Sequence, residues 1–169
     1  ARSIRNNGPS LDGLAQLSQI QERLGQLELA GNDPAAALIA FRQSLENRER
    51  ILELFGQSAD RLRDLGASLD HAGSIELAQG NWPAAAISLR RSLHAHRQLV
   101  DAYGPTAERL QGLARSLQKA GDLELLEDKQ PAALLCYRES LEVCERALRD
   151  YGETPSGLRD EAAALIRVG

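Results

Sequence analysis

A chain of 169 residues, 43% hydrophobic and 26% charged, is long enough for one domain with a sizeable core or for one short array of repeats. Its aromatic content of 4% and its twelve β-branched residues, seven Ile, three Val and two Thr, are too few to line a sheet, which excludes all-β and α/β folds and leaves a helical core of Leu and Ala. The net charge of −4, from 24 acids against 20 bases, excludes a general nucleic-acid binder with a basic field over its whole surface.

In chain order, residues 1–9 read as the tail of a preceding helix or a linker, because Ile4, Gly8, Pro9 and Ser10 align with Leu52, Gly56, Gln57 and Ser58. That alignment is part of a gapless period of 48 residues. Gly25, Gly73, Gly121 and Gly169 share one column; Glu28, Glu76 and Glu124 another; Arg42, Arg90 and Arg138 a third; and Ser44-Leu45 recurs as Ser92-Leu93 and Ser140-Leu141. The pairs Phe55-Gly56, Tyr103-Gly104 and Tyr151-Gly152 are each followed two residues on by Ser58, Thr106 or Thr154. Such a Gly ends a helix in the left-handed conformation, and the Ser or Thr caps the next. A second break falls near Asn32-Asp33-Pro34, Asn81-Trp82-Pro83 and Lys129-Gln130-Pro131, with Pro at or just before each helix start.

The punctuation predicts first helices over 10–31, 58–79 and 106–127 and second helices over 34–55, 82–103 and 130–151. The units are residues 10–57, 58–105 and 106–153, followed by a terminal or truncated helix over 154–169. Leu62, Leu65, Leu69, Ala72 and Ile75, and on the next helix Ile87, Leu89, Leu93 and Val100, follow three- and four-residue steps. The start at Ala1 and the lack of any Met point to an excised fragment or a processed chain.

Gly73, the turn at Gly80-Asn81-Trp82, then Ala85, Leu89 and Ser92 resemble a tetratricopeptide repeat (TPR). The same pattern returns as Gly25, Ala37, Phe41 and Ser44, and as Gly121, Ala133, Tyr137 and Ser140. Units of 48 residues make this a long-helix variant, with Glu28, Glu76 and Glu124 where many members of the family carry an aromatic residue. The resemblance implies an all-α fold: a right-handed superhelical solenoid of antiparallel helix pairs, whose first helices line a concave groove for peptide segments.

One column is wholly basic: Arg23, His71, Lys119 and Arg167. Gln19 and Arg115 lie one turn earlier; Gln26, Ser74 and Asp122 follow. These nine residues are the expected ligand groove, suited to an acidic segment or a free C-terminal carboxylate. Arg115 and Lys119 fall where carboxylate-clamp members of the family carry basic residues, whereas Glu22, Gln26 and His71 depart from that pattern. The alternative is a solvated face, with Lys119 and Asp122 as an i,i+3 pair. The Glu28 and Arg42 columns read as a salt bridge within each helix pair, Trp82 as a packing residue, and Cys136 and Cys144 as buried apolar side chains. His94 and His96 point to different faces without a third ligand, so neither metal nor cofactor is expected. No phosphate loop, nucleophile elbow or catalytic pairing stands out.

The expected protein is therefore not an enzyme but a protein-interaction scaffold without nucleic-acid or membrane partners. Two cysteines without a disulfide framework place it in a reducing compartment, the cytoplasm, and no apolar run approaches the about 18–20 residues of a bilayer span. Two other roles fit the same repeats: a regulatory or sensor array of a larger signalling ATPase or protease, and a self-association module.

Overall fold

The computed structural model describes residues 8–152 and 155–168. The described residues form seven helices and no strand: α1 (Leu11–Ala30), α2 (Pro34–Phe55), α3 (Ala59–Ala78), α4 (Trp82–Tyr103), α5 (Ala107–Leu126), α6 (Gln130–Tyr151) and α7 (Pro155–Val168). Each lies within one residue of its expected span. Residues 1–7, the Thr154 cap and Gly169 lie outside the described residues, and with them most of the expected N-terminal tail.

Local chemistry explains the boundaries. Ser10, Ser58 and Thr106 accept hydrogen bonds from the backbone N–H of Gly13, Arg61 and Arg109, and Asp33 does the same for Ala36, satisfying donors that a helix start leaves open. The short breaks inside each 48-residue stretch turn through Asn32, Gly80 and Asp128, all with φ between 57° and 74°. There the N–H groups of Asp33, Asn81 and Lys129 reach the carbonyls of Glu28, Glu76 and Glu124 at 2.8–2.9 Å.

Every helix packs on the next one along the chain, and α5 also touches α7. The glycine column makes room for these contacts. A Cβ on Gly25 would lie 2.9 Å from the Phe41 ring and one on Gly73 would lie 2.7 Å from Leu89; on Gly121 it would run into Tyr137. Ser44, Ser92 and Ser140, all fully buried, place their hydroxyls 3.0 Å from the carbonyls of Ser18, Gly66 and Ala114; the single protons of Ser44 and Ser92 are shared with Glu22 and Asp70. The core consists of small clusters rather than one centre. Ala37, Leu38 and Phe41 pack with Ala72 and Ile75. Leu45 and Leu52 pack against Leu65 and Leu69, and Leu93 and Val100 against Leu113, Leu117 and Ala120.

Three packing expectations need correction. Arg42 bonds to Glu76 at 2.6 Å and Arg90 to Glu124 at 3.1 Å, so the Glu and Arg columns join successive 48-residue stretches instead of closing one helix pair. Trp82 is 51% exposed, because it is the first residue of α4 and projects beyond the packed face. Cys144 is buried, but Cys136 is only partly so.

Candidate functional site

Five of the nine expected groove residues, Ser74, Arg115, Lys119, Asp122 and Arg167, line one hollow of about 360 Å³ together with Leu77, Leu89, Gln118 and Asp160. Helices α3, α4, α5 and α7 all contribute to it. Gln19 and Arg23 lie elsewhere, at a smaller depression of about 150 Å³ on α1 with Gln16 and Ile20; Gln26 is an exposed residue of α1. His71 packs its ring on Phe41, centroids 4.8 Å apart, and shares a 2.7 Å hydrogen bond with Glu22. The nine residues thus divide between separate sites.

Three of the four bases in the column meet acids. His71 meets Glu22, Lys119 lies 3.6 Å from Asp70, and Arg167 grips Asp122 through Nε and a terminal nitrogen at 3.0 and 3.3 Å. The expected pairing of Lys119 with Asp122 is therefore replaced, since Lys119 turns towards α3 and Asp122 is held by α7. Burial pushes the Glu22 carboxyl up, but hydrogen bonds from His71 and Ser68 and the charge of Arg48 outweigh it and hold it below the usual carboxylate range.

Around the hollow, Arg167 lies 6.0 Å over the Tyr137 ring, and the Tyr137 hydroxyl donates to Asp122 at 2.8 Å. Burial and the Asp122 carboxylate push that phenol well above its ordinary value. Arg115 is half-exposed, and its guanidinium lies 3.7 Å from the Asp160 carboxylate, a distance too long for a tight fork. Burial raises Asp160, although Arg115 and Arg159 pull it down. Gln118 donates to the Asp160 carbonyl at 3.1 Å and to Ser140 at 3.2 Å, anchoring the hollow to the buried serine column. Three cations thus converge here, each with its own carboxylate, Asp70, Asp160 or Asp122, and the Arg115 fork is only loosely engaged.

Sequence reading missed Asp70, Gln118, Tyr137 and Asp160 as parts of this arrangement. Glu22, Asp70 and Gln118 stand 48 apart in one column, which was the available signal. The Cys144 thiol is pushed up to about 11, first by burial and then by Asp160 and Glu161, far from a reactive thiolate at neutral pH. Among the described residues no group of His, Cys, Asp and Glu is arranged to hold a metal ion, and no helix is long and apolar enough to cross a membrane.

These features define an all-α chain with a charged hollow between its later helices. No protein-family model matches the chain, and no curated protein matches it. Among solved structures, it is similar to the N-terminal domain of stress-induced protein-1 (STI-1) from C. elegans, at 9% identity and a TM-score of 0.45, over 89% of this chain and 96% of that one. It is also similar to the DHF79 filament, at 12% identity and a TM-score of 0.32, over 90% and 95% of the two chains.

Proposed function

We propose that this chain is a noncatalytic protein-interaction scaffold of the tetratricopeptide repeat kind, in a long-helix form, acting in the cytoplasm on an acidic segment or free C-terminal carboxylate of a partner protein. In this reading residues 10–57, 58–105 and 106–153 are three antiparallel helix pairs stacked into a right-handed superhelical solenoid. Opposed contact order supports the antiparallel pairing: Ser18 meets Ser44, while Gly25, further along α1, meets Phe41, earlier on α2. The identical serine bonds 48 residues apart and neighbour-on-neighbour packing support the stack.

The observation that carries the binding role is the convergence of Arg115, Lys119 and Arg167 on one hollow. A ligand carboxylate entering there takes the fork of Arg115, held only loosely by Asp160, in a bidentate, charge-assisted bond and adds Lys119, which Asp70 already pairs from beneath. The test uses a labelled Asp/Glu-rich peptide with a free C-terminal carboxylate, and its C-terminal amide. The wild-type chain is expected to bind the free acid more tightly, and Arg115→Glu with Lys119→Glu to weaken it by at least about tenfold. Equal affinity of wild type and double variant would remove the hollow as the binding site.

A further inference from the structure

Between α1, α2 and the start of α3 lies a second hollow, of about 300 Å³, which shares no residue with the charged one. Arg48, only 9% exposed, contributes to its lining. The Arg48 Nε donates to Ser44 at 3.1 Å. One terminal nitrogen lies 3.2 Å from Glu22, a carboxylate that also takes Ser68 at 2.6 Å and His71 at 2.7 Å. The other terminal nitrogen has no partner among the described residues, so a buried fork suited to a carboxylate keeps donors open. Round the same hollow, Asp60 and Asp64 pair with Arg63 at 2.9 and 3.2 Å, and Arg61 is turned onto the carbonyls of Phe55 and Gly56. Asp12, exposed in the first turn of α1, has neither an ionic nor a hydrogen-bond partner among the described residues. Leu11, Ala15 and the buried Ile51 supply an apolar wall.

The next unit lacks this arrangement. One period on, His96 stands for Arg48 and is wedged against Gly66 and Gly112, where a Cβ would fall 2.7 and 2.9 Å from its ring. In the first unit those two glycine positions hold Ser18 and Asp64, and both line the hollow. The corresponding hollow of the second unit, on Asp60, Leu99 and Glu108, has no buried base in its lining.

We propose that the Arg48 hollow binds a small zwitterion with an aliphatic side chain, a free α-amino acid: its carboxylate on Arg48, its ammonium on Asp12, its side chain against Leu11, Ala15 and Ile51. Charge-assisted bonds then form at both ends. A plain anion would meet the carboxylates of Asp12, Asp60 and Asp64, and a plain cation the open side of Arg48. A peptide carries its free ammonium and free carboxylate at opposite ends, whereas an amino acid holds both on one carbon. The volume is at the small end of ligand sites, which start at about 300 Å³.

The probe is L-leucine, titrated into the full chain by calorimetry beside leucine amide, which lacks the carboxylate, and N-acetylleucine, which lacks the ammonium. Leucine is expected to bind saturably, and each analogue at least about tenfold more weakly. Asp12→Asn is expected to weaken leucine by about tenfold and to leave N-acetylleucine unchanged; Asp12 is a surface group, so unchanged thermal melting separates lost binding from lost folding. Arg48→Lys keeps the charge beside Glu22 but loses the fork, and is expected to weaken leucine and N-acetylleucine while leaving leucine amide unchanged. No saturable binding of leucine at millimolar concentration overturns the proposal, as does wild-type affinity in Asp12→Asn. Equal binding of leucine and N-acetylleucine overturns it in favour of a plain anion site, and equal binding of leucine and leucine amide in favour of a cation site. Leucine is expected to bind unchanged to the chain carrying Arg115→Glu and Lys119→Glu; its loss there would move the amino acid to the charged hollow and overturn the assignment to Arg48.

Discussion

His96 shows how much a single position depends on its surroundings. It is buried on α4 between two glycines: a Cβ on Gly66 would fall 2.7 Å from its Nε2, and one on Gly112 would fall 2.9 Å from its Cε1. Neither ring nitrogen has a hydrogen-bond partner among the described residues, and Asp70 comes only to 3.8 Å. Burial pushes the imidazole below its ordinary pKa; Asp70 pulls it back, while Arg115 and Lys119 push it further down. The sign of the consequence follows from linkage: the unfolded chain takes up a proton near pH 6.5 that the fold resists, so stability is full above that pH and falls below it. Urea midpoints at pH 7.5 and 5.5 are expected to differ in the wild type and to converge in His96→Gln; equal loss in both would assign the pH dependence to other groups. Sequence could place His96 in a column with Arg48 and Cys144, but not between two glycines, because Gly66 and Gly112 belong to different columns.

At the scale of helices, the spans and caps were legible because capping acts through residues adjacent in the chain. Ionic pairing was not. A repeat gives separations only modulo its period: Arg42 stands 14 residues from Glu28 and 34 from Glu76, and these two separations together make one period. The same ambiguity misassigned Asp122, which lies 3 residues from Lys119 but 45 from its true partner, Arg167. The two inter-helix bonds differ in surroundings, and that yields a ranking. Glu76 is 3% exposed and keeps only Ser88 at 2.8 Å if its arginine is lost, so Arg42→Met is expected to cost about 1–3 kcal/mol. Glu124 is more open and also has Lys129 at 3.7 Å, so Arg90→Met is expected to cost less than about 1 kcal/mol. Chemical denaturation of the two variants checks the order; equal costs would mean that burial of Glu76 does not govern the bond.

Over the whole molecule, neighbour-to-neighbour packing distributes both stability and chemistry along the chain. The part-buried polar column shows this: Glu22 accepts from Ser68 at 2.6 Å, and Asp70 accepts from Ser92 at 2.8 Å and, more loosely, from Ser116 at 3.4 Å. Each acid therefore ties its own helix to the ones that follow. The series changes at Gln118, which bonds to Ser140 and to the Asp160 carbonyl, and there the charged hollow opens. The grouping of Lys119 and Arg167 was readable from the column of bases and that of Arg115 from its place one turn earlier, whereas the pairing of each base with its acid was not, since the acids arrive from neighbouring helices at distances periodicity leaves undetermined. The most direct measurement is a titration of isotope-labelled chain with the free-carboxylate acidic peptide, followed by nuclear magnetic resonance. The account predicts shifts concentrated at Ser74, Arg115, Lys119 and Arg167; shifts confined to Asp12, Arg48 and Ile51, or none at saturating peptide, would contradict it.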